Sequence, residues 1–258
     1  MDTELKEKKK EKKVKAHKKK YNHPEIVYNK KKRFRCFVHR PKGAIPRASK
    51  DRKLIGAFRL VKSWYFPKFH YCKNKKAKGT GAIRQSVDKA KKLGNRIDRE
   101  MMWWTKSGKM PRKAHRYSRQ LYNIFEKVAW KPVASQQIVG DPEHNVATAF
   151  DMLLENKKKE LILVDVKTGY ETHWTASDDQ KLERPFQHVD SSSESHSWLQ
   201  LALTAILFTA NNLKYCETHP LKKIHIVRTS ATGAVVYGMP AYLSRLFDDL
   251  RKKLLNRT

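Results

Sequence analysis

Three charged residues stand where a polypeptide ordinarily hides carbon. In Leu161-Ile-Leu-Val-Asp-Val-Lys167 an acid and an amine interrupt an apolar run, and burying an unpaired charge is costly. On an extended strand Asp165 and Lys167 share a face. A salt bridge between them is the plain reading. It leaves unexplained why another acid, Asp151, arises towards the end of the neighbouring apolar stretch that begins at Val146. If the two stretches pair through the Glu155-Asn-Lys-Lys-Lys159 turn, the two carboxylates meet near one end of a sheet face and repel. A divalent cation removes that repulsion, and carboxylate oxygens favour hard ions such as magnesium or manganese.

The elements that would position these groups are readable from periodicity. Apolar residues at Ile83, Val87, Ala90, Leu93, Ile97 and Met101 recur every three or four positions and predict a helix to about Trp104. A turn with Gly108 and Pro111 precedes a second helix from Tyr117 to Trp130, which Pro132 ends. The period then changes. Val133 to Val139, Val146 to Leu154 and Glu160 to Lys167 read as three strands of a meander. A polar loop from Tyr170 to Ser195, a lid over substrate or plain disorder, leads to an apolar helix from His196 to about Asn211. Strands at Lys223 to Thr229 and Ala234 to Met239 and a closing amphipathic helix from Leu243 to Leu255 complete the pattern. The expected fold is α/β, a mixed central sheet flanked by helices.

Asp151, thirteen intervening residues and then Asp165-Val-Lys167-Thr-Gly169 resembles the RecB-like and lambda-type exonuclease branch of the PD-(D/E)XK nuclease superfamily, over about residues 94 to 229. The resemblance implies a restriction-endonuclease-like core and phosphodiester hydrolysis. It implies that Asp151, Asp165, the Val166 carbonyl and an acid from the upstream helix hold one or two Mg2+ or Mn2+ ions. Gly94-Asn-Arg-Ile-Asp98-Arg-Glu100 resembles the upstream motif with Asp98 in place of a His, which makes Glu100 the candidate acid and Asp98 its reserve. Lys167 would orient the attacking water or neutralise charge on the phosphate. Gln200 matches the Gln of the family's following helix, whereas Thr204 stands where a Tyr is usual.

Charge points to the partner. The formal net charge is +32, and all of the excess lies before residue 141: 42 basic and 10 acidic residues there, against 15 of each from Asp141 to Thr258. Such asymmetry implies a polyanion, DNA foremost and RNA as the alternative. A membrane surface is disfavoured, because the Lys-rich start has too few apolar side chains for an amphipathic helix. Residues 1–33 read as a disordered polybasic arm, 34–80 as a basic aromatic-rich extension and 81–258 as the nuclease domain.

Cys36, Cys72 and Cys216 are too few and too scattered for a disulfide framework, so an intracellular, reducing compartment is expected, with a nuclear or viral DNA replication site compatible with the basic arm. Cys36, His39, His70 and Cys72 supply four potential zinc ligands, but their tight spacing favours ordinary residues. His144, His173, His188 and His196 carry no catalytic pattern. The function these readings give is a Mg2+-dependent deoxyribonuclease, exonuclease ahead of endonuclease, in recombination, repair or genome processing. The competing reading is a packaging or architectural protein on a nuclease-like fold without catalysis.

Overall fold

Alternating apolar and β-branched residues extend five consecutive segments into one sheet. The computed structural model describes residues 25–29, 33–37, 52–66, 81–141, 143–168 and 180–256. Two short strands, β1 (Glu25–Asn29) and β2 (Arg33–Phe37), join β3 (Arg52–Lys53) in a small antiparallel sheet. Next come β4 (Ile55–Gly56) and the helices α1 (Ala57–Tyr65), α2 (Gly81–Ser107) and α3 (Arg116–Lys127). The meander follows as β5 (Lys131–Asp141), β6 (Val146–Glu155) and β7 (Leu161–Thr168). Helices α4 (Ser193–Asn211) and α5 (Leu213–Thr218) cross over to β8 (Leu221–Thr229), then come β9 (Ala234–Gly238), a 3-10 turn and α6 (Ser244–Leu255).

The main sheet has six strands and is mixed, with helices on both faces. β5, β6 and β7 are antiparallel, β7 and β8 are parallel, and β9 returns antiparallel to β8. One face buries Leu161, Leu163, Phe150 and Leu153 under α1, α4 and α6. The other buries Ile162, Val164 and Met152 under α2 and α3. Among the described residues, no helix is long and apolar enough to cross a membrane.

The sheet forks beside the candidate acids. β5 runs along one edge of β6 from Asp141↔Val146 to Lys131↔Glu155. A strand has only two edges, so β4 and β7 must share the other. β4 pairs in parallel with Val146 and Ala147, and β7 pairs with Met152 to Glu155. Between them, Thr148 to Asp151 have no ladder partner on that edge, and the backbone opens where Asp151 leaves it.

Two of the expected boundaries move. β1 lies within the stretch expected to be a disordered arm, where Glu25–Asn29, with Ile26, Val27 and Tyr28 at its centre, pairs with Arg33–Phe37. The break expected between 80 and 81 does not hold either, since β4 belongs to the main sheet and Ala57, Leu60, Val61 and Tyr65 of α1 join its core. Of the four potential zinc ligands only Cys36 falls in a described strand; His39, His70 and Cys72 lie outside the described residues, as do Gly169, His173 and residues 170–179 of the polar loop.

Candidate functional site

β7 carries Asp165 and Lys167 on the face toward α4, since the intervening Val164 and Val166 join the opposite core. Lys167 Nζ is 2.9 Å from Asp165 Oδ2, and the two side chains keep only 19% and 13% of their exposure. Asp165 Oδ2 is buried and has no hydrogen bond besides this ion pair, which leaves it room to accept from a water or to contact a cation.

Asp151 lies one step beyond the last β6–β7 pair, Met152↔Val164, and therefore beside Asp165. Its Oδ2 accepts from the Val166 amide at 2.8 Å and its Oδ1 from Gln136 Nε2 at 3.2 Å. Val166 thus orients the site through its N–H while its side chain faces the other core. Burial, and then the Asp165 carboxylate within hydrogen-bond reach, push the Asp151 carboxyl well above the ordinary range, and Lys167 opposes that shift. Two acids that cannot both ionise comfortably are a site for a shared proton or a shared cation.

The acid that comes from α2 is Asp98. Burial foremost, and the charge of Asp165 next, raise it to about 6, with Lys167 opposing. Glu100 is engaged elsewhere. Its carboxylate accepts from Arg96 Nε at 2.8 Å, Ser118 Oγ at 2.6 Å and the His115 amide at 2.8 Å, and these contacts outweigh its desolvation and lower its pKa. Positions two apart on a helix point about 200° away from each other, so the two acids cannot serve one site. Glu100 therefore ties α2 to the start of α3, and Asp98, the reserve, is the α2 acid that feels Asp165 and Lys167.

Gln200 reaches the site from α4. A small cleft is lined by Asp151, Asp165, Gln200 and Thr204, with Val164 and Leu201 among its apolar walls. Thr204 Oγ1 donates to the Gln200 carbonyl at 2.7 Å, so it does not substitute for a Tyr hydroxyl. The helix is fixed by a capping box in which Ser192 and Ser195 satisfy each other's amides.

Two further residues belong to the site. Gln136 stands opposite Asp151 on β5 with φ of 50°, a left-handed conformation inside a strand that a glutamine rarely adopts. Three adjacent polar residues, Ser135, Gln136 and Gln137, within Val133–Val139 are the sequence signal for it. His196 lies one turn before Gln200 on α4 and feels both Lys167 and Asp165; that four-residue step was its only trace.

As donors, Asp151 and Asp165 offer hard oxygens, with Asp98 in electrostatic range. Among the described residues, no three His, Cys, Asp or Glu side chains converge into a ready-made metal group. Magnesium is commonly held by one or two carboxylates, waters and substrate phosphates, so the pair fits that ion better than one needing a full protein cage.

No protein-family model matches this chain, and no curated protein matches it. Among solved structures, the crystal structure of SSO0001 is similar over 79% of this chain and 77% of that one, at 14% identity and a TM-score of 0.33. A likeness so remote carries no argument about activity.

Proposed function

We propose that the chain is a magnesium-dependent nuclease of the PD-(D/E)XK type, acting on DNA. The observation that carries this reading is the meeting of Asp151 and Asp165 on one sheet face with Lys167 beside them. Asp151 and Asp165, with the Val166 carbonyl and Asp98, would hold one or two Mg2+ or Mn2+ ions. When bound, such an ion polarises the scissile phosphate and lowers the pKa of water. Asp151, gripped by Gln136 and the Val166 amide, presents its remaining lone pairs in a fixed direction. Lys167 directs a positive charge at the phosphate as negative charge grows on it. Gln200 offers an amide to the same cleft and can hold a phosphate oxygen or orient Lys167.

Support for a polyanionic substrate comes from α2. Lys89, Lys92, Arg96, Arg99, Trp103 and Lys106 follow one another at three- and four-residue steps and are all exposed, Trp103 to 59%. They form a cationic stripe about 25 Å long on one helix face. Intracellular sites of DNA replication, repair or genome maturation suit such a protein.

The test is incubation of the full chain with linear and circular DNA, with Mg2+ or with EDTA. Metal-dependent loss of linear DNA alone means exonuclease, and cleavage of circles means endonuclease. Asp165→Ala and Lys167→Ala should each lower hydrolysis by at least about 100-fold while salt-sensitive binding persists. Binding without any metal-dependent hydrolysis by the wild type would leave only the architectural alternative standing.

A further inference from the structure

The rim of the candidate site beside α1 is aromatic and unusually open. Ala57, Leu60 and Val61 are buried, yet Phe58 between them keeps 50% of its surface in water. Its ring lies against the imidazole of His196, with centroids 4.0 Å apart at 41°, and Phe66 approaches the same imidazole at 4.8 Å. His196 Nε2 lies 3.3 Å from the Phe58 carbonyl, which ties the two rings together through the backbone as well.

This cluster is directed at the site by helix geometry. His196 and Gln200 are one turn apart on α4, and Gln200 lines the cleft with Asp151 and Asp165. Burial first, with Lys167 and Lys62 acting in the same direction, holds the imidazole low, at about 4, so it is a neutral ring at physiological pH. On α1, Lys62 is exposed and stands four residues after Phe58, hence on the same helix face. A half-exposed aromatic face beside a cation, next to acids suited to phosphodiester chemistry, is the pattern with which proteins hold unpaired nucleic acid.

We propose that Phe58 and His196 form a stacking platform for the base flanking the scissile phosphate, with Lys62 on the adjoining phosphate, so that the strand entering the site is single-stranded. The proposal rests on the nuclease reading for the word scissile, and on the ring geometry alone for the binding. Both faces of a base inside a duplex are covered by its neighbours, so away from a duplex end only an unpaired strand can offer one to Phe58. Every base has such a face, so the platform is indifferent to sequence.

The experiment uses the full chain in EDTA, where binding is read without hydrolysis. A twelve-nucleotide single strand carrying 2-aminopurine reports stacking by its fluorescence, and anisotropy of an end label reports affinity for that strand and for its duplex. The wild type and Phe58→Trp should quench the probe. Phe58→Leu, which keeps apolar bulk without a π face, should lose the quenching and bind the single strand about tenfold more weakly, with less than a twofold change for the duplex. His196→Phe should retain quenching and His196→Ala should lose it. Quenching by Phe58→Leu equal to that of the wild type, no quenching by the wild type, or equal weakening of single strand and duplex would each overturn the platform. A parallel Mg2+ digestion tests the nuclease reading separately, because quenching needs no cleavage.

Discussion

Asp98 and Glu100 lie two residues apart and behave oppositely, which makes them the sharpest pair to vary. The folded carboxyl of Asp98 sits at about 6 against an ordinary 3.8, so between these values the folded protein holds a proton that the unfolded chain has released. Stability from that proton is full below the lower value and is lost as pH rises through the window. Asp98→Asn cannot ionise. Metal-free thermal melts should therefore find it more stable than the wild type at pH 7.5, by about 1–2 kcal/mol after allowance for solvent screening, and no more stable at pH 3.5. Its hydrolysis should fall, by about 100-fold, because the site loses an acid. Glu100 has the reverse sign: its pKa is lowered, so its contribution is present above 4.5 and lost as pH falls through the lowered value. Glu100→Gln should cost about 1–3 kcal/mol at pH 7.5 and leave hydrolysis within a few-fold of the wild type. Equal loss of activity in both variants would contradict the assignment. Asp151, Asp165 and Lys167 were legible in the sequence because charge inside an apolar strand has few innocent explanations. The choice between Asp98 and Glu100 was not, since the two flank opposite edges of the stripe Leu93, Ile97, Met101 and Trp104. Only the seating of the helix on the sheet decides which edge meets β7.

At the level of elements, the site depends on one strand held in an uncomfortable shape. Gln136 keeps a left-handed backbone so that its side chain can reach Asp151. Gln136→Ala and Gln136→Gly both remove the hydrogen bond, but only Gly adopts φ of 50° without a clash between Cβ and the backbone. Denaturant unfolding should find the Gly variant more stable than the Ala variant by about 1 kcal/mol, with unchanged m-values. A more stable Ala variant would mean that the strand relaxes and that the left-handed residue does no positioning. The meander, β8, β9, α2, α3, α4 and α6 were foreseen within a few residues, because each has a clear period of two or 3.6. β4 and α1 were hidden for a physical reason. β4 has two residues, too few for a period, and its parallel pairing with Val146 and Ala147 joins segments far apart in sequence. α1 spans nine residues beside Pro67 and a run of cations, and its burial is settled by packing on α4. The fork that separates Asp151 from its ladder follows from β4 and was hidden with it.

On the scale of the whole molecule, the charge-balanced half holds Asp151 and Asp165, whereas the cationic half, which also carries Asp98, holds the whole positive excess and in the proposed function would grip a polyanion. Affinity without sequence preference comes from releasing counterions, so its signature is the slope of log K against log salt, about 0.9 per phosphate neutralised on duplex DNA. Residues 1–20 contain ten Lys and four acids, a net of six positive charges that precedes β1 and can be removed without cutting a described strand. If they contact DNA, deleting them should make the slope shallower by about five units and weaken binding most at low salt. Hydrolysis at saturating substrate should stay within about twofold, because the proposed chemistry assigns no role to residues 1–20. Charge reversal of Arg99 and Lys106 on the α2 stripe should act in the same way, additively with the deletion, since separate phosphate contacts release separate counterions. An unchanged slope in the truncated chain would assign the N-terminal lysines to solubility and leave the α2 stripe as the surface that carries the duplex.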